Sequence, residues 1–159
     1  MNAITLLKKD HDAAKTLMEE LAETTERAVK TRERTWTKLL KDLTIHENIE
    51  EEIFYPALKA KDVKELNAIV LEALEEHHVV DDIVEQLKDT PFDDAHWAAK
   101  FKVTKENVEH HIDEEEGEMF KLVREHFSRN ELEELGDRML QRSNEQAEER
   151  MPERDQVEL

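Results

Sequence analysis

Apolar side chains recur along this chain at the three- and four-residue intervals of an α-helix and divide it into five helical stretches. The first runs from about residue 2 to 28 and the second from about residue 32 to 55. The third begins near residue 62 and stops before Pro91, the fourth covers about residues 93 to 127, and a short fifth follows. Long helices with short connections predict an all-α, antiparallel up-down-up-down four-helix bundle with a short fifth helix.

Local signals mark some of the helix ends. Asp62 with Glu65, and Ser128 with Glu131, have the spacing of a capping box, in which each residue satisfies a backbone N–H of the other. Pro56 should end or kink the second helix, because its ring clashes with the preceding turn. We therefore expect short, defined connections between the helices.

The last part of the chain is polar. From about Ser143 onward there are few large apolar residues to bury. We predict one domain over residues 1–142, made of the bundle and the short fifth helix, followed by a flexible acidic tail over residues 143–159.

Composition excludes several classes of function. The chain has 159 residues, enough for one domain with a core of its own, and no cysteine, so it can form neither a disulfide nor a thiolate metal site. A net charge of −18 opposes binding to nucleic acid or to an anionic membrane. The N-terminus lacks the apolar run of a signal peptide, and no window approaches the ~20 apolar residues of a membrane span. We expect a cytoplasmic location.

Each of the first four helical stretches places one histidine on its apolar stripe, and two of the stretches add a glutamate four residues later. These six residues are His11, His46, Glu50, His77, His111 and Glu115. Residues four apart lie on one helix face, so a histidine and glutamate at this spacing can reach the same point. Burying carboxylates without a partner costs several kcal/mol each. We therefore predict a pair of metal ions in the middle of the bundle.

The donor set indicates which metals to expect. Imidazole nitrogens and carboxylate oxygens in one shell suit iron or manganese better than zinc, which prefers a closed tetrahedral site.

Two neighbouring histidines compete with the chosen ones. His78 adjoins His77, and His110 adjoins His111, where Glu114 repeats the same four-residue spacing. We favour His77 and His111 because apolar residues continue the helix faces on which they lie. His78, Asp81, His110 and Glu114 remain alternative ligands.

An internal repeat supports this choice. HENIEEEIFYPAL (46–58) aligns without gaps with HIDEEEGEMFKLV (111–123), so the second and fourth helices are equivalent halves of one site. Tyr55 is the aromatic residue of the first copy, but an ideal helix points it roughly opposite His46. Only distortion at Pro56 would turn it inward. We interpret Tyr55 as a packed aromatic residue, with a phenolate ligand or proton carrier as the alternative.

The motifs together resemble the hemerythrin-like (HHE cation-binding) family. The matching segments are DH at 10–11, HENIEEEIFYP at 46–56, EEHHVVDD at 75–82 and HIDEEEGEMF at 111–120, within residues 1–127. The resemblance implies a non-haem di-iron centre joined by an oxo or hydroxo bridge, with manganese or zinc as other possible metals. It also implies that the four histidines are terminal ligands and that Glu50 and Glu115 bridge the two ions.

The chain departs from the oxygen-carrying hemerythrins of that family at two positions. Asp81 stands where they have a second histidine on the third helix, and the last carboxylate is a glutamate at +4, not an aspartate at +5. With one nitrogen fewer, the site favours reaction with hydrogen peroxide, O2 or NO over oxygen storage. Glu51, Asp81 and Tyr55 are candidate proton carriers.

Two hypotheses of function follow. The first is an enzyme of oxidative stress that disproportionates peroxide with catalase-like or peroxidase-like activity. The alternative is a non-enzymatic protein that binds or senses O2, NO or iron. We expect a monomer or a weak homodimer, in which the fifth helix covers the bundle or forms the dimer contact.

Overall fold

The structure, a computed structural model, describes residues 1–158, with side chains as far as Glu149. It is all-helical, as the sequence predicts, and the described residues contain no strand. The helices are α1 (Ala3–Ala22), α2 (Val29–Ile49), α3 (Tyr55–Ala60), α4 (Lys64–Lys88), α5 (Ala95–Glu114), α6 (Phe120–His126) and α7 (Arg129–Glu158). Two π-helical segments, Glu50–Phe54 and Glu115–Met119, connect α2 to α3 and α5 to α6 without a break.

Two apolar clusters fill the interior. The first contains residues from the beginning of α1, from α3, from the first half of α4 and from α6 and α7. The second contains residues from the second half of α1, the first half of α2, the end of α4 and α5. Consecutive long helices therefore run in opposite directions. Burying each large apolar side chain stabilises this arrangement by roughly 1.5–3 kcal/mol.

The capping predictions have different outcomes. Ser128 and Glu131 form the reciprocal pair, with Glu131 N–H donating to Ser128 Oγ at 3.1 Å and Ser128 N–H to Glu131 Oε1 at 3.0 Å. The pair Asp62 and Glu65 is wrong, because α4 begins after Val63 and has no side-chain cap. Asp62 instead adopts φ 55° in the turn after α3, a left-handed conformation that aspartate tolerates better than most residues.

Pro56 does not end the second helix as predicted. It lies in the first turn of α3, directly after the π-helical segment, and the helix continues past it to Ala60. The irregularity lies before it, in the π-helical segment Glu50–Phe54. The extra residue in a π-helical turn rotates everything after it by about 100° relative to a regular α-helix. The segment Glu115–Met119 repeats this distortion without a proline, so proline alone does not cause it.

The fifth helix is longer than predicted. α7 continues through residues 143–149, so the prediction of a flexible tail is wrong there. The helix persists because polar contacts replace large apolar ones: Gln146 is buried and accepts a hydrogen bond from Asn48 Nδ2 at 3.0 Å. For the rest of the predicted tail, residues 150–159, the side chains lie outside the described part of the structure.

A glycine sets how closely α7 packs. A Cβ added at Gly136 would lie 2.6 Å from the carbonyl carbon of Asn2 and 2.7 Å from the nitrogen of Ala3. The backbone of α7 therefore rests directly on the start of α1. No helix within residues 1–158 combines the length and apolar character that crossing a membrane requires.

Candidate metal centre

The six predicted side chains meet in one polar layer of the helical bundle. α1 contributes His11, α2 and the first π-helical segment contribute His46 and Glu50, α4 contributes His77, and α5 and the second segment contribute His111 and Glu115. All are buried except His46, whose side chain is 11% exposed. The helical periodicity of the sequence brings these residues together, because each lies on the stripe that faces the core.

The histidines form two pairs. The rings of His11 and His46 have centroids 5.0 Å apart, and those of His77 and His111 have centroids 4.8 Å apart. Nε2 of His77 lies 3.2 Å from Nε2 of His111. The first pair joins the two N-terminal helices and the second joins α4 and α5, so the layer has an approximate two-fold repeat.

The two carboxylates lie between the pairs. Glu50 Oε1 is 3.3 Å from Nε2 of both His46 and His77. Glu115 places Oε1 3.1 Å from His11 Nε2 and Oε2 3.5 Å from His111 Nε2. Each carboxylate therefore contacts a histidine of both pairs.

A second set of carboxylates holds the outer nitrogen of every histidine. The contacts are His11 Nδ1 to Glu116 Oε2 at 2.7 Å, His46 Nδ1 to Asp10 Oδ2 at 2.9 Å, His77 Nδ1 to Glu51 Oε2 at 3.0 Å and His111 Nδ1 to Glu76 Oε1 at 2.7 Å. An ionised carboxylate only accepts, so Nδ1 carries a proton, and Nε2 is the nitrogen that faces the centre and can bind a cation once its own proton is lost. Histidines that bind metals are commonly oriented in this way.

Sequence reasoning missed three of these four outer carboxylates. Asp10 and Glu76 each precede a histidine of the site, and Glu116 follows Glu115 as Glu51 follows Glu50. The pattern is visible in the repeat, but it becomes interpretable only when the helices are placed side by side. Glu51 had been assigned only a possible proton-carrying role.

One buried group supports a cation in this layer. Neither carboxylate oxygen of Glu50, a residue with no exposed surface, makes a hydrogen bond of good geometry, and Oε1 has its two histidine nitrogens only at 3.3 Å. Buried ionised groups of this kind are normally paired or bound to a metal. The chemistry of the layer, four imidazoles and two carboxylates without cysteine, fits a cation with mixed nitrogen and oxygen ligands. The residues present can therefore hold metal.

In the metal-free protein, protons on the histidines balance the carboxylates. Burial alone would raise the pKa of Glu50, but the charge of His46 holds it well below its ordinary value. Burial would lower the pKa of His46, whereas the charge of Glu50 and the hydrogen bond to Asp10 raise it to about 10. Burial would also lower the pKa of His77, but the hydrogen bond and the charge of Glu50 raise it to about 9. A metal ion would replace these protons, because only the neutral ring binds it.

Tyr55 corrects a sequence-based interpretation. Its hydroxyl donates to Glu115 Oε2 at 2.7 Å and lies 3.5 Å from His77 Nε2. The π-helical segment before it, and not Pro56, rotates the side chain into the site. Burial, with the charges of Glu50 and Glu115, raises the pKa of Tyr55 well above its ordinary value, so the metal-free protein carries a neutral phenol here.

The alternative candidates lie away from the layer. The side chains of His78 and His110 are 66% and 65% exposed. Glu114 lies 3.0 Å from His110 in a separate group near the surface, and Asp81 is exposed. None of these belongs to the two buried groups that combine the histidine pairs with Glu50, whereas Tyr55 contacts both Glu115 and His77.

A helical bundle with a buried, metal-capable layer of histidine and glutamate defines the class of cation-binding helical domains. The sequence model described as Hemerythrin HHE cation binding domain matches residues 2–123, and the chain belongs to that family. The resemblance inferred from the motifs is thus confirmed.

Relatives are found among mycobacteria. The chain is 33% identical over 147 residues to the uncharacterized protein Rv2633c of Mycobacterium tuberculosis and to the uncharacterized protein Mb2666c of Mycobacterium bovis. Each alignment covers 89% of this chain and 85% of the relative. A crystal structure of a hemerythrin HHE cation binding domain-containing protein from Mycobacterium kansasii, an Rv2633c homologue, superposes with a TM-score of 0.79 at 33% identity. That match covers 92% of this chain and 87% of the other.

Proposed function

We propose that this protein holds a non-haem di-iron centre that reacts with a small oxidant, hydrogen peroxide before O2 or NO. The observation that supports this best is the doubled geometry of the buried layer: two histidine pairs share two carboxylates, and every outer histidine nitrogen is held by a further carboxylate. A single ion would use only one of the two histidine pairs, whereas two ions would use both pairs and the two carboxylates between them.

The proposed ligands divide between two ions. His11 and His46 would hold one ion and His77 and His111 the other, and Glu50 and Glu115, which lie between the pairs, would serve both. The resemblance adds an oxo or hydroxo bridge. Iron is the preferred metal, because each ion would be held by both nitrogen and oxygen donors, whereas zinc prefers a closed tetrahedral site; manganese and zinc are the alternatives.

Peroxide disproportionation needs no organic cofactor. One H2O2 accepts two electrons and two protons, its O–O bond breaks, and two waters form. A second H2O2 gives up two electrons and two protons and leaves as O2. The iron pair would supply the two-electron store between these half-reactions.

The chain supplies the surroundings for this reaction. The apolar clusters above and below the layer keep water from those two sides. Tyr55 holds a proton at its hydroxyl, and Glu115 accepts the hydrogen bond 2.7 Å away. A neutral Tyr55 would act as the nearest proton donor. A Tyr55 phenolate would instead be a ligand on the His77 side and would give a visible charge-transfer band to ferric iron.

The test combines composition and turnover. Protein loaded with iron should contain two irons per chain and evolve O2 from added H2O2. Glu50→Ala should lower the iron content and abolish O2 evolution. Glu118→Ala, which removes an exposed glutamate of the second π-helical segment, should change neither. Two irons without O2 evolution, together with tight binding of O2 or NO, would favour the binding or sensing hypothesis. Absence of bound metal would refute both.

A further inference from the structure

A cavity of about 250 Å3 adjoins one end of the polar layer. Residues from α1, α2, α5 and α7 line it, and His11 and His46 form part of its wall. The volume is several times the ~30 Å3 that one water molecule occupies in the liquid. The cavity is therefore large enough for several small molecules beside the first histidine pair.

The lining changes from polar to apolar with depth. Asp10 and Asp42 are partly exposed at the outer side, whereas Ala14, Ile45 and Ile112 are buried. A small neutral molecule passes such a boundary more readily than an anion, because the two aspartates outnumber the one lysine of the lining, Lys41, and the chain carries a net charge of −18. The cavity thus connects the surface with the histidines of the layer.

The cavity is specific to one half of the site. Two other cavities, one beside Arg32 and one beside Glu47, have none of the six proposed ligands in their walls. On the other half, Tyr55 lies against His77, with ring centroids 5.7 Å apart. The two histidine pairs therefore differ in what surrounds them.

α7 forms the outer wall with small side chains. Ser143 and Ala147 line the cavity and lie four residues apart, on one helix face. Met139, one turn earlier on that face, is fully buried. Larger side chains at 143 and 147 would occupy the space that is now open.

Polar contacts fix this part of α7 against the bundle. Arg142 Nε donates to Glu52 Oε2 at 2.9 Å, and Asn48 Nδ2 donates to buried Gln146 at 3.0 Å. Both partners belong to the second helix or to the π-helical segment that follows it. The wall is thus held in place from both sides of Ser143.

We propose that the cavity under α7 is the route by which a small neutral oxidant reaches the metal centre on the His11–His46 side, and that Ser143 and Ala147 set its width. This inference rests on the proposed function of the same site. It assigns a role to α7, which lies beyond the residues 2–123 that the family model matches.

The test fills the cavity from α7 and leaves every proposed ligand unchanged. The filled variant carries Ser143→Leu and Ala147→Leu. The control carries Asn144→Leu and Glu148→Leu, two exposed positions one residue further along the same helix. Helix content and metal content are measured first, and the single Ala147→Leu variant replaces the double one if the latter loses metal.

The readout is the rate at which nitric oxide binds the anaerobic ferrous protein, followed by absorbance, with peroxide consumption alongside. The filled variant should bind nitric oxide at least about tenfold more slowly, equivalent to ~1.4 kcal/mol in the barrier, and the control within about twofold of the parent. Equal rates in all three proteins would overturn the inference even if peroxide is consumed. A slowed rate in the filled variant alone, without peroxide consumption by the parent, would support the route and reject the proposed reaction.

Discussion

Replacing Tyr55 with phenylalanine tests whether the hydroxyl that the π-helical segment brings into the site is bonded to Glu115. The substitution removes one hydroxyl and leaves the ring in place. The ring stays buried, because Tyr55 is only 2% exposed. The lost contact is the 2.7 Å hydrogen bond to Glu115 Oε2. Hydrogen bonds to charged groups contribute about 1.5–3 kcal/mol, and an unpaired buried carboxylate oxygen is costly. We expect the metal-free Tyr55→Phe variant to lose about that much stability.

A double-mutant cycle isolates the contact. Urea unfolding of the metal-free parent, Tyr55→Phe, Glu115→Gln and the double variant gives the coupling energy between the two positions. A loss of this size shifts the midpoint by roughly 1 M urea for typical slopes of 1–3 kcal/mol/M. A parallel cycle with Glu116→Gln is the control, because Glu116 bonds His11 and does not bond Tyr55. Coupling below ~0.5 kcal/mol at Glu115, or equal coupling at Glu116, would refute the assigned hydrogen bond.

Three other predictions concern protons and glycines. Loading metal at pH 8 should release protons, because the pKa values of about 10 for His46 and about 9 for His77 keep both rings charged in the metal-free protein. The protons are measured with an indicator dye, and the release of none would contradict this prediction. The stability of the metal-free protein should fall as the pH rises from 6.5, the ordinary pKa of histidine, toward 10. The reason is that a group whose pKa is raised in the folded state stabilises the fold only while it is protonated. A thermal unfolding midpoint that stays constant over this pH range would count against the prediction. Gly136→Ala should destabilise the protein by about 1–3 kcal/mol, because the added Cβ would clash with the start of α1. Gly117→Ala should be neutral or stabilise by up to ~1 kcal/mol, because no atom lies within 4 Å of the added Cβ. Equal urea midpoints for the two variants would be inconsistent with this packing.

The helices and the convergence of the site were predictable because burial imposes a period on the sequence. His77 and His78 are adjacent, yet only the face of His77 continues into apolar residues such as Val84 and Leu87. The structure buries His77 and leaves His78 exposed, which follows directly from that face. Periodicity works here because the helix is regular on both sides of the histidine.

The inward position of Tyr55 was not predictable in the same way. A π-helical turn is a rare, local departure from the α-helical period, so the period of the apolar residues does not reveal its extra residue. The prediction used a regular helix, which rotates Tyr55 away from His46. The one available signal was the repeat, which aligns Tyr55 with Phe120, and Phe120 also packs against a site histidine, stacking on His11 with centroids 6.2 Å apart.

The length of α7 was underestimated for a different reason. Large apolar residues mark a buried helix face, and the face beyond Met139 has few of them. Ser143 and Ala147 are small and line a cavity, and Gln146 is buried and accepts a hydrogen bond. A helix that packs through small and polar side chains resembles a solvated tail when only composition is considered.

The two halves of the site are alike in their proposed ligands and unlike in what surrounds them. Glu51 and Glu116 occupy the same place in the repeat, and each bonds a histidine of the opposite helix pair. The equivalent aromatic residues differ, because Tyr55 brings a hydroxyl to the His77 half and Phe120 brings none to the other. The cavity under α7 adjoins only the half without the hydroxyl. Differences between the two proposed ions therefore arise from residues outside the shared ligand set, so substitutions at Tyr55 or in α7 should affect the two ions unequally, whereas loss of a bridging glutamate should affect both.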